Sequence, residues 1–277
     1  MSAPMETAAP YRIAVRGPAR RAAFTLLELL VVLVIIAVLA ALLVPSFRHA
    51  RLHSLATRSS HNLRQLVAAN LSYAADRGCY VPADDRWNNR RWHGARTTVT
   101  GRFDPAAGFL ADYLGKSRSI TPCPLFTEML SGRQSFEDGT GGYGYNATYI
   151  GGTPEWAWNP DGTRRSATPA QIPRPSATLM FATTAFARAD GLQEYPYAEP
   201  PFWDFGTGPS ASRPSPSVHF RFAGKAILAW CDGHISMEER TPRDPGENPY
   251  GGDPTAQNLG WPGPDEGNGW WNPQREH

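Results

Sequence analysis

The feature that most constrains this chain is an uninterrupted apolar segment near its N-terminus. Leu29 to Val44 is 16 residues long without one polar side chain, and the wider segment 24–44 adds only Thr25 and Glu28. As a helix, 24–44 would be about 31 Å long, which matches a bilayer hydrocarbon core of about 30 Å. The sequence therefore predicts a membrane-spanning helix over 24–44.

The charges beside this segment predict its orientation. Residues 1–23 carry four arginines and a single acid, Glu6. An excess of arginine favours the cytoplasmic side, so we expect a single-pass protein with its N-terminus in the cytoplasm and the rest outside it. Two simpler interpretations remain open at this point, an uncleaved signal-anchor and a cleaved secretory signal with a long apolar core.

Glu28 is the unusual residue of the segment. A carboxylate inside an apolar helix is costly and commonly marks a function with a nearby partner. A cut between Ala23 and Phe24 would create an α-ammonium group four residues before Glu28, which is the spacing of neighbours on one helix face. That group could also meet the Glu28 of an adjacent chain. The simpler alternative is a glutamate at the membrane edge that reaches water.

The run AAFTLLELLVVLVIIAVLAALLVPSF resembles the class III signal of type IV prepilins and type II secretion pseudopilins. This resemblance implies a leader over 1–23, cleavage after Ala23 and N-methylation of Phe24. It also implies that Glu28 pairs with the N-terminus of an adjacent subunit during assembly, and that Pro45 bends or locally melts the helix. The family usually has Gly at the cleavage position, where this chain has Ala23.

The resemblance also implies partners and a location. The partners are a prepilin peptidase, other pilin or pseudopilin subunits, the membrane and an inner-membrane assembly platform. The location is the inner (cytoplasmic) membrane, with an extracytoplasmic or periplasmic head.

A second resemblance, which includes the prepilin signal, covers most of residues 20–240. HNLRQLVAANLSYAADRGCYVPADD is similar to a stretch of a pseudopilin-like family with a C-terminal H-X9-DG motif, found in many planctomycete and verrucomicrobial genomes. The segments 121–124, 142–146 and 174–181 resemble further stretches of that family and occur in the same order. The histidine does not fit, because Phe222 stands ten residues before Asp232 and the nearest histidine is His219.

Beyond Pro45, leucines recur at steps of three and four residues, which predicts an amphipathic continuation over 45–77. Residues 24–77 contain no Gly and one Pro, so we expect one helix of roughly 80 Å if it is straight. Further on, a buried-type run over 225–231 is separated from a second run over 234–238 by Asp232-Gly233. This dipeptide predicts a tight hairpin with positive φ at both positions. The expected fold class is α+β and pilin-like, a long N-terminal helix with a small antiparallel sheet head over 78–240 and long loops.

Residues 241–277 contain seven Pro, seven Gly and six acids against two arginines. Such a composition is typical of a flexible tail. Three tryptophans argue instead for docking, either on the sheet or on another subunit, and the sequence leaves these alternatives open. The three are Trp261, Trp270 and Trp271.

Few residues point to catalysis or to a cofactor. Cys231 and His234, with His219 and Asp204, could form a thiol–imidazole pair or a metal site, but a turn already explains the Asp-Gly between them. No phosphate-binding loop, HExxH or GxSxG motif occurs. The head is neutral within a net charge of +2, which argues against nucleic acid.

We therefore expect no cofactor. Calcium is the open alternative, because related pseudopilins can hold Ca²⁺ in C-terminal loops and four aspartates lie in Gly- or Pro-rich turns. Simple turns are the preferred interpretation of these four. They are Asp138, Asp161, Asp190 and Asp253. Outside the cytoplasm, Cys79 and Cys123 are candidates for a disulfide.

The expected function is a structural, non-enzymatic subunit of a type II secretion or type IV pilus-like filament. The alternative is a membrane-anchored extracytoplasmic binding or enzymatic module that does not polymerise.

Overall fold

The structure, a computed structural model, describes residues 25–130, 135, 137–246 and 248–275. The chain divides into two compact units, Met1–Arg48 and His49–His277. Two α-helices and ten strands lie in the described part, with six short 3₁₀ turns between them. The helices are α1 (Leu26–Arg77) and α2 (Pro124–Leu130); the strands are β1 (Arg90–Arg91), β2 (Gly94–Ala95), β3 (Tyr143–Tyr145), β4 (Leu179–Thr183), β5 (Phe186–Arg188), β6 (Gly191–Gln193), β7 (Val218–His219), β8 (Lys225–Trp230), β9 (Ile235–Glu239) and β10 (Leu259–Gly260).

Helix α1 is the long helix that the sequence predicts over 24–77. It ends where Gly78 adopts a left-handed φ of 76° and donates its N–H to the carbonyl of Ala74 at 2.9 Å. Glycine takes this conformation without a Cβ penalty, so it closes the helix. Pro45 lies inside the helix. A bend at Pro45 stays a prediction.

The part of α1 that belongs to the second unit packs against the core of the head. Leu63, Leu66 and Val67 are at most 2% exposed, and they recur at the helical spacing that the sequence shows. Asn70 on the same face is fully buried and accepts the N–H of Val81 at 2.9 Å. This bond satisfies a buried polar group and fixes the chain as it leaves the helix.

The main sheet has four antiparallel strands in the order β3-β4-β8-β9. Successive side chains of β8 point to opposite faces. Ile227 and Ala229 enter the apolar cluster that includes α1, whereas Leu228 and Trp230 enter a second cluster on the other face. The sheet is therefore covered on both sides. The long apolar helix and the small antiparallel sheets confirm the α+β, pilin-like fold class.

The second cluster consists partly of the acidic C-terminal segment. Trp261 and Trp271 are fully buried, and their indole N–H groups donate to the carbonyls of Glu199 at 3.0 Å and Ala198 at 2.7 Å. Strand β10 pairs with β7 in the same region. Of the alternatives that the sequence left open, the segment thus docks on the sheet of its own chain.

Two tight turns join the strands around β8. Between β8 and β9, Gly233 (φ 95°) donates to the carbonyl of Trp230 at 2.9 Å, and Trp230 donates to that of His234 at 3.1 Å. Asp232 does not have a positive φ, so the expectation of two such positions there was wrong. The loop has three residues, 231–233, and ends in the left-handed Gly233. Of these two turns, the one with two positive φ values is Ala223-Gly224, at 52° and 82°.

The predicted disulfide between Cys79 and Cys123 is wrong, because both cysteines are free. Cys123 Sγ lies 3.2 Å from Ser59 Oγ on α1, whereas Cys79 follows the helix end at Arg77. Ser59 and Arg77 are separated by about 27 Å of helix at 1.5 Å per residue. A disulfide needs Cα atoms within about 7 Å.

Candidate functional site

The first turn of α1 forms a reciprocal hydrogen-bonded cap. Glu28 Oε2 accepts the backbone N–H and the hydroxyl of Thr25, each at 2.9 Å, and Thr25 Oγ1 accepts the N–H of Glu28 at 3.2 Å. This is a capping box, in which two otherwise unpaired backbone donors of the helix start are satisfied. The Glu28 carboxylate thus has a local structural role in the isolated chain.

The first part of α1 after this cap, residues 29–41, is apolar and uncovered. The large apolar side chains from Leu26 to Leu39 are 43–84% exposed, and every residue in 26–41 is exposed. Among the described helices, α1 is long and apolar enough to cross a membrane. A helix that is apolar on all sides is stable when lipid or other apolar helices surround it.

The arrangement therefore offers two means of interaction. The apolar surface can be covered by a bilayer or by like helices, and the carboxylate of Glu28 can attract a cationic group at the same depth. Because Gln and Glu both complete a capping box, the cap and the charge of Glu28 are separable by substitution.

The residues considered for catalysis in the head do not assemble into a reactive site. His234 Nδ1 bonds Asp232 Oδ1 at 2.6 Å, and its ring stacks on Trp230 at 5.2 Å between centroids. Cys231 is 3% exposed, and burial raises the pKa of its thiol. A neutral buried thiol is a poor nucleophile.

The other two residues of that set are His219, whose pKa is lowered, and Asp204, which is already hydrogen-bonded. Burial, together with the neighbouring Arg221, holds the pKa of His219 well below its usual range. Asp204 accepts the hydroxyl of Tyr149 at 2.7 Å and the N–H of Gly206 at 3.0 Å. Asp204 therefore supports its own loop. Phe222, at the position of the family's histidine, is 2% exposed in the core.

The four aspartates considered for calcium lie in separate turns. Asp161 accepts from Thr163, Asp253 from Thr255 and Asp138 from Ser135, each through a backbone N–H. Asp190 lies 3.6 Å from Arg188. Across the described ranges, no group of three or more His, Cys, Asp or Glu side chains could hold a metal ion. These carboxylates thus act as turn residues.

Comparison with known proteins gives one result for the N-terminal segment. Residues 18–44 match the family model for the prokaryotic N-terminal methylation motif. The chain carries a prepilin-type signal. Neither the curated proteins nor the solved structures gave a significant match. The H-X9-DG resemblance lies beyond the matched residues and rests on the sequence segments alone.

The two predicted processing residues, Ala23 and Phe24, lie within the matched range. Both lie outside the described residues, and Glu28 lies inside them. The signal supports a prepilin-like protein that a prepilin peptidase processes at its N-terminus and that associates with pilin-type subunits. Together with the exposed apolar helix, it indicates membrane anchoring.

Thr25 is the residue of the prepilin signal that the sequence reasoning missed. Its hydroxyl and N–H hold the Glu28 carboxylate in place. The pattern Thr25-Leu26-Leu27-Glu28 is a T-x-x-E capping box ahead of an apolar run, so the role of Thr25 could have been predicted from the sequence.

Proposed function

We propose that this chain is a structural subunit of a type II secretion or type IV pilus-like filament. It is cut between Ala23 and Phe24, methylated at Phe24 and assembled through α1. The observation that carries this proposal is a prepilin signal leading into a helix whose apolar side chains are exposed from Leu26 to Leu39. The role is structural, and the chain is not an enzyme.

In this proposal the bilayer first covers the apolar N-terminal part of α1, up to residue 44, and neighbouring helices cover it after assembly. The newly formed amine of Phe24 lies at the level of Glu28 on an adjacent subunit, and the two opposite charges neutralise each other in an apolar setting. The assembly platform lies in the inner membrane, and the head lies outside the cytoplasm.

Mass spectrometry of the mature chain tests the processing step. We expect a methylated N-terminus at Phe24. Ala23→Gly, which restores the usual family residue, should be cut at least as completely, and Ala23→Arg should keep the leader because a large cation replaces a small residue. An intact N-terminus, or a cut elsewhere, in the wild type would overturn the proposal.

A pair of Glu28 variants separates the charge from the cap. Glu28→Gln keeps a capping-box residue and removes the charge, whereas Glu28→Ala removes both. If charge pairing drives assembly, both variants should insert into the membrane normally and lose crosslinking between subunits. Normal crosslinking of Glu28→Gln would assign Glu28 to the helix cap alone.

The second candidate is a membrane-anchored extracytoplasmic module that does not polymerise. The described head supplies an observation in its favour, since it contains aromatic cavities that filament packing does not require. A processed wild-type chain that yields no subunit crosslinks along α1 would favour this candidate.

A further inference from the structure

A polar and aromatic cavity of about 320 Å³ opens in the head, between the start of the head and the loop before β7. Three half-buried tryptophans line it, Trp156, Trp158 and Trp203. A second cavity of about 170 Å³ shares Tyr195, Glu199 and Trp203 with the first. The two cavities are therefore neighbours with a common wall. The larger cavity lies within the size range of small-molecule sites.

A buried ion pair holds the inner side of the larger cavity. Arg164 Nε and Nη2 donate to the two carboxylate oxygens of Asp84 at 2.7 and 3.0 Å. The hydroxyl of Tyr197 donates to Asp84 Oδ2 at 2.8 Å. This two-point pairing fixes both side chains and neutralises their charges locally.

The same guanidinium positions two of the indoles. The Arg164 Cζ atom lies 4.3 Å from the ring centroid of Trp156 and 5.4 Å from that of Trp158. The backbone of Trp156 has a φ of 53°, a conformation that large side chains rarely adopt. The ring of Trp203 stands 6.5 Å from that of Trp156. Two of the three indoles thus lie against a guanidinium group that Asp84 holds in place.

Glu199 supplies an unused acceptor at the common wall. Its residue is only 7% exposed, and its Oε1 accepts the hydroxyl of Tyr195 at 2.6 Å. Its Oε2 accepts no hydrogen bond from the described residues, although the side chain lines both cavities. Glu199 Oε2 is not among the fully buried atoms without a partner in the described residues, so it reaches the cavity surface, where it can accept a hydrogen bond from a ligand.

The mixture of charges around the cavity favours a neutral ligand over an ion. Two guanidinium groups, Arg86 and Arg164, and three carboxylates, Asp84, Asp85 and Glu199, line it. Because Arg164 and Asp84 neutralise each other, charge of neither sign is concentrated there. Indole faces match the C–H face of a sugar ring, and hydroxyl groups can both donate to carboxylates and accept from guanidinium groups.

We propose that the two cavities bind a neutral saccharide, with a sugar ring against Trp203 and a hydroxyl donating to Glu199 Oε2. The volumes fit one sugar unit in the larger cavity and part of a second in the smaller. This site belongs to the head alone and does not depend on filament assembly.

The test uses the full chain in a polyoxyethylene detergent, because detergents with sugar headgroups would compete. Di- and trisaccharides of glucose, mannose, xylose and N-acetylglucosamine are titrated, with tryptophan fluorescence and calorimetry as readouts. Choline and inorganic phosphate are titrated in parallel. We expect saturable binding of at least one saccharide and none of the two ions. Absence of saccharide binding, or binding of choline or phosphate instead, overturns the proposal.

Variants locate the binding on these cavities. Trp203→Ala and Glu199→Gln should each weaken binding by about ten-fold or more, a loss of about 1.4 kcal/mol. Trp87→Ala is the matched control, because Trp87 is 63% exposed and does not line either cavity; its affinity should equal that of the wild type. Circular dichroism checks folding, and Trp203→Phe replaces Trp203→Ala if the latter unfolds. Unchanged affinity in a folded cavity variant also overturns the proposal.

Discussion

At the scale of single residues, Glu28 and Glu199 are the two carboxylates on which the proposals depend, and the sequence alone points only to Glu28. Glu28 interrupts an apolar run, so its cost is evident from its neighbours in the chain. Glu199 lies among prolines and aromatic residues near position 200, and no local sequence pattern predicts its burial. Its surroundings include the nearby Tyr195 and also Asp84 and Arg164, which tertiary packing brings to it from distant parts of the chain.

A pH dependence of stability follows from Glu199. Burial raises its pKa, so the folded chain binds this proton more tightly than the unfolded chain does. The resulting stabilisation is complete below the unfolded value of about 4.3 and is lost as pH rises through the folded pKa, by about 1.4 kcal/mol per unit of elevation. Relative to Glu199→Gln, the wild type should therefore lose free energy of unfolding as pH rises.

Urea unfolding of both proteins at a series of pH values measures this difference. Glu239→Gln controls for the loss of one surface carboxylate, because the Glu239 side chain is 76% exposed. A difference between wild type and Glu199→Gln that is independent of pH, or that has the opposite sign, would show that Glu199 is not buried as described.

At the scale of elements, the sequence predicts the long helix far better than it predicts the strands. Helix α1 contains no Gly and is bounded by Thr25 and Gly78, so its limits can be predicted within two residues. The strands are two to six residues long and depend on partners distant in sequence. The Asp232-Gly233 hairpin was evident, but its loop length and φ values were not, because the same dipeptide fits several turn types.

The turn between Phe222 and Lys225 gives a prediction at this scale. Ala223 occupies a left-handed position at a φ of 52°, which costs about 1–2 kcal/mol for a residue with a Cβ. Ala223→Gly should therefore raise the free energy of unfolding by about 1 kcal/mol. Gly224→Ala should lower it by about 1–2 kcal/mol through φ alone, since a Cβ there would meet no atom within 4 Å. Chemical denaturation of both variants checks these opposite signs, and equal signs would contradict the turn.

At the scale of the whole molecule, the head is built on a sheet that is covered on both faces. One face receives α1 residues such as Leu63 and Leu66, and the other receives Trp261 and Trp271 from the C-terminal segment. The boundary that the sequence predicted at 240/241 is thus a change of composition, while the packing continues across it.

Removing one of these indoles should expose the dependence of the head on its C-terminal segment. Trp261 is fully buried, so Trp261→Ala should lower the free energy of unfolding by about 3–5 kcal/mol. Trp87→Ala, the same change at a 63% exposed site, should lower it by less than about 1 kcal/mol. Thermal and urea unfolding measure both, and equal effects would mean that the segment does not dock.

The sequence by itself determined the prepilin signal, the long helix and the α+β class, because each depends on local composition and spacing. Only the tertiary structure decided that the cysteines stay apart, that the tryptophans of the C-terminal segment cover the sheet and that Glu199 faces an aromatic cavity. These features depend on which distant segments meet. A chain of 277 residues with 26 Gly and 26 Pro can bring its loops together in many ways, and packing selects one.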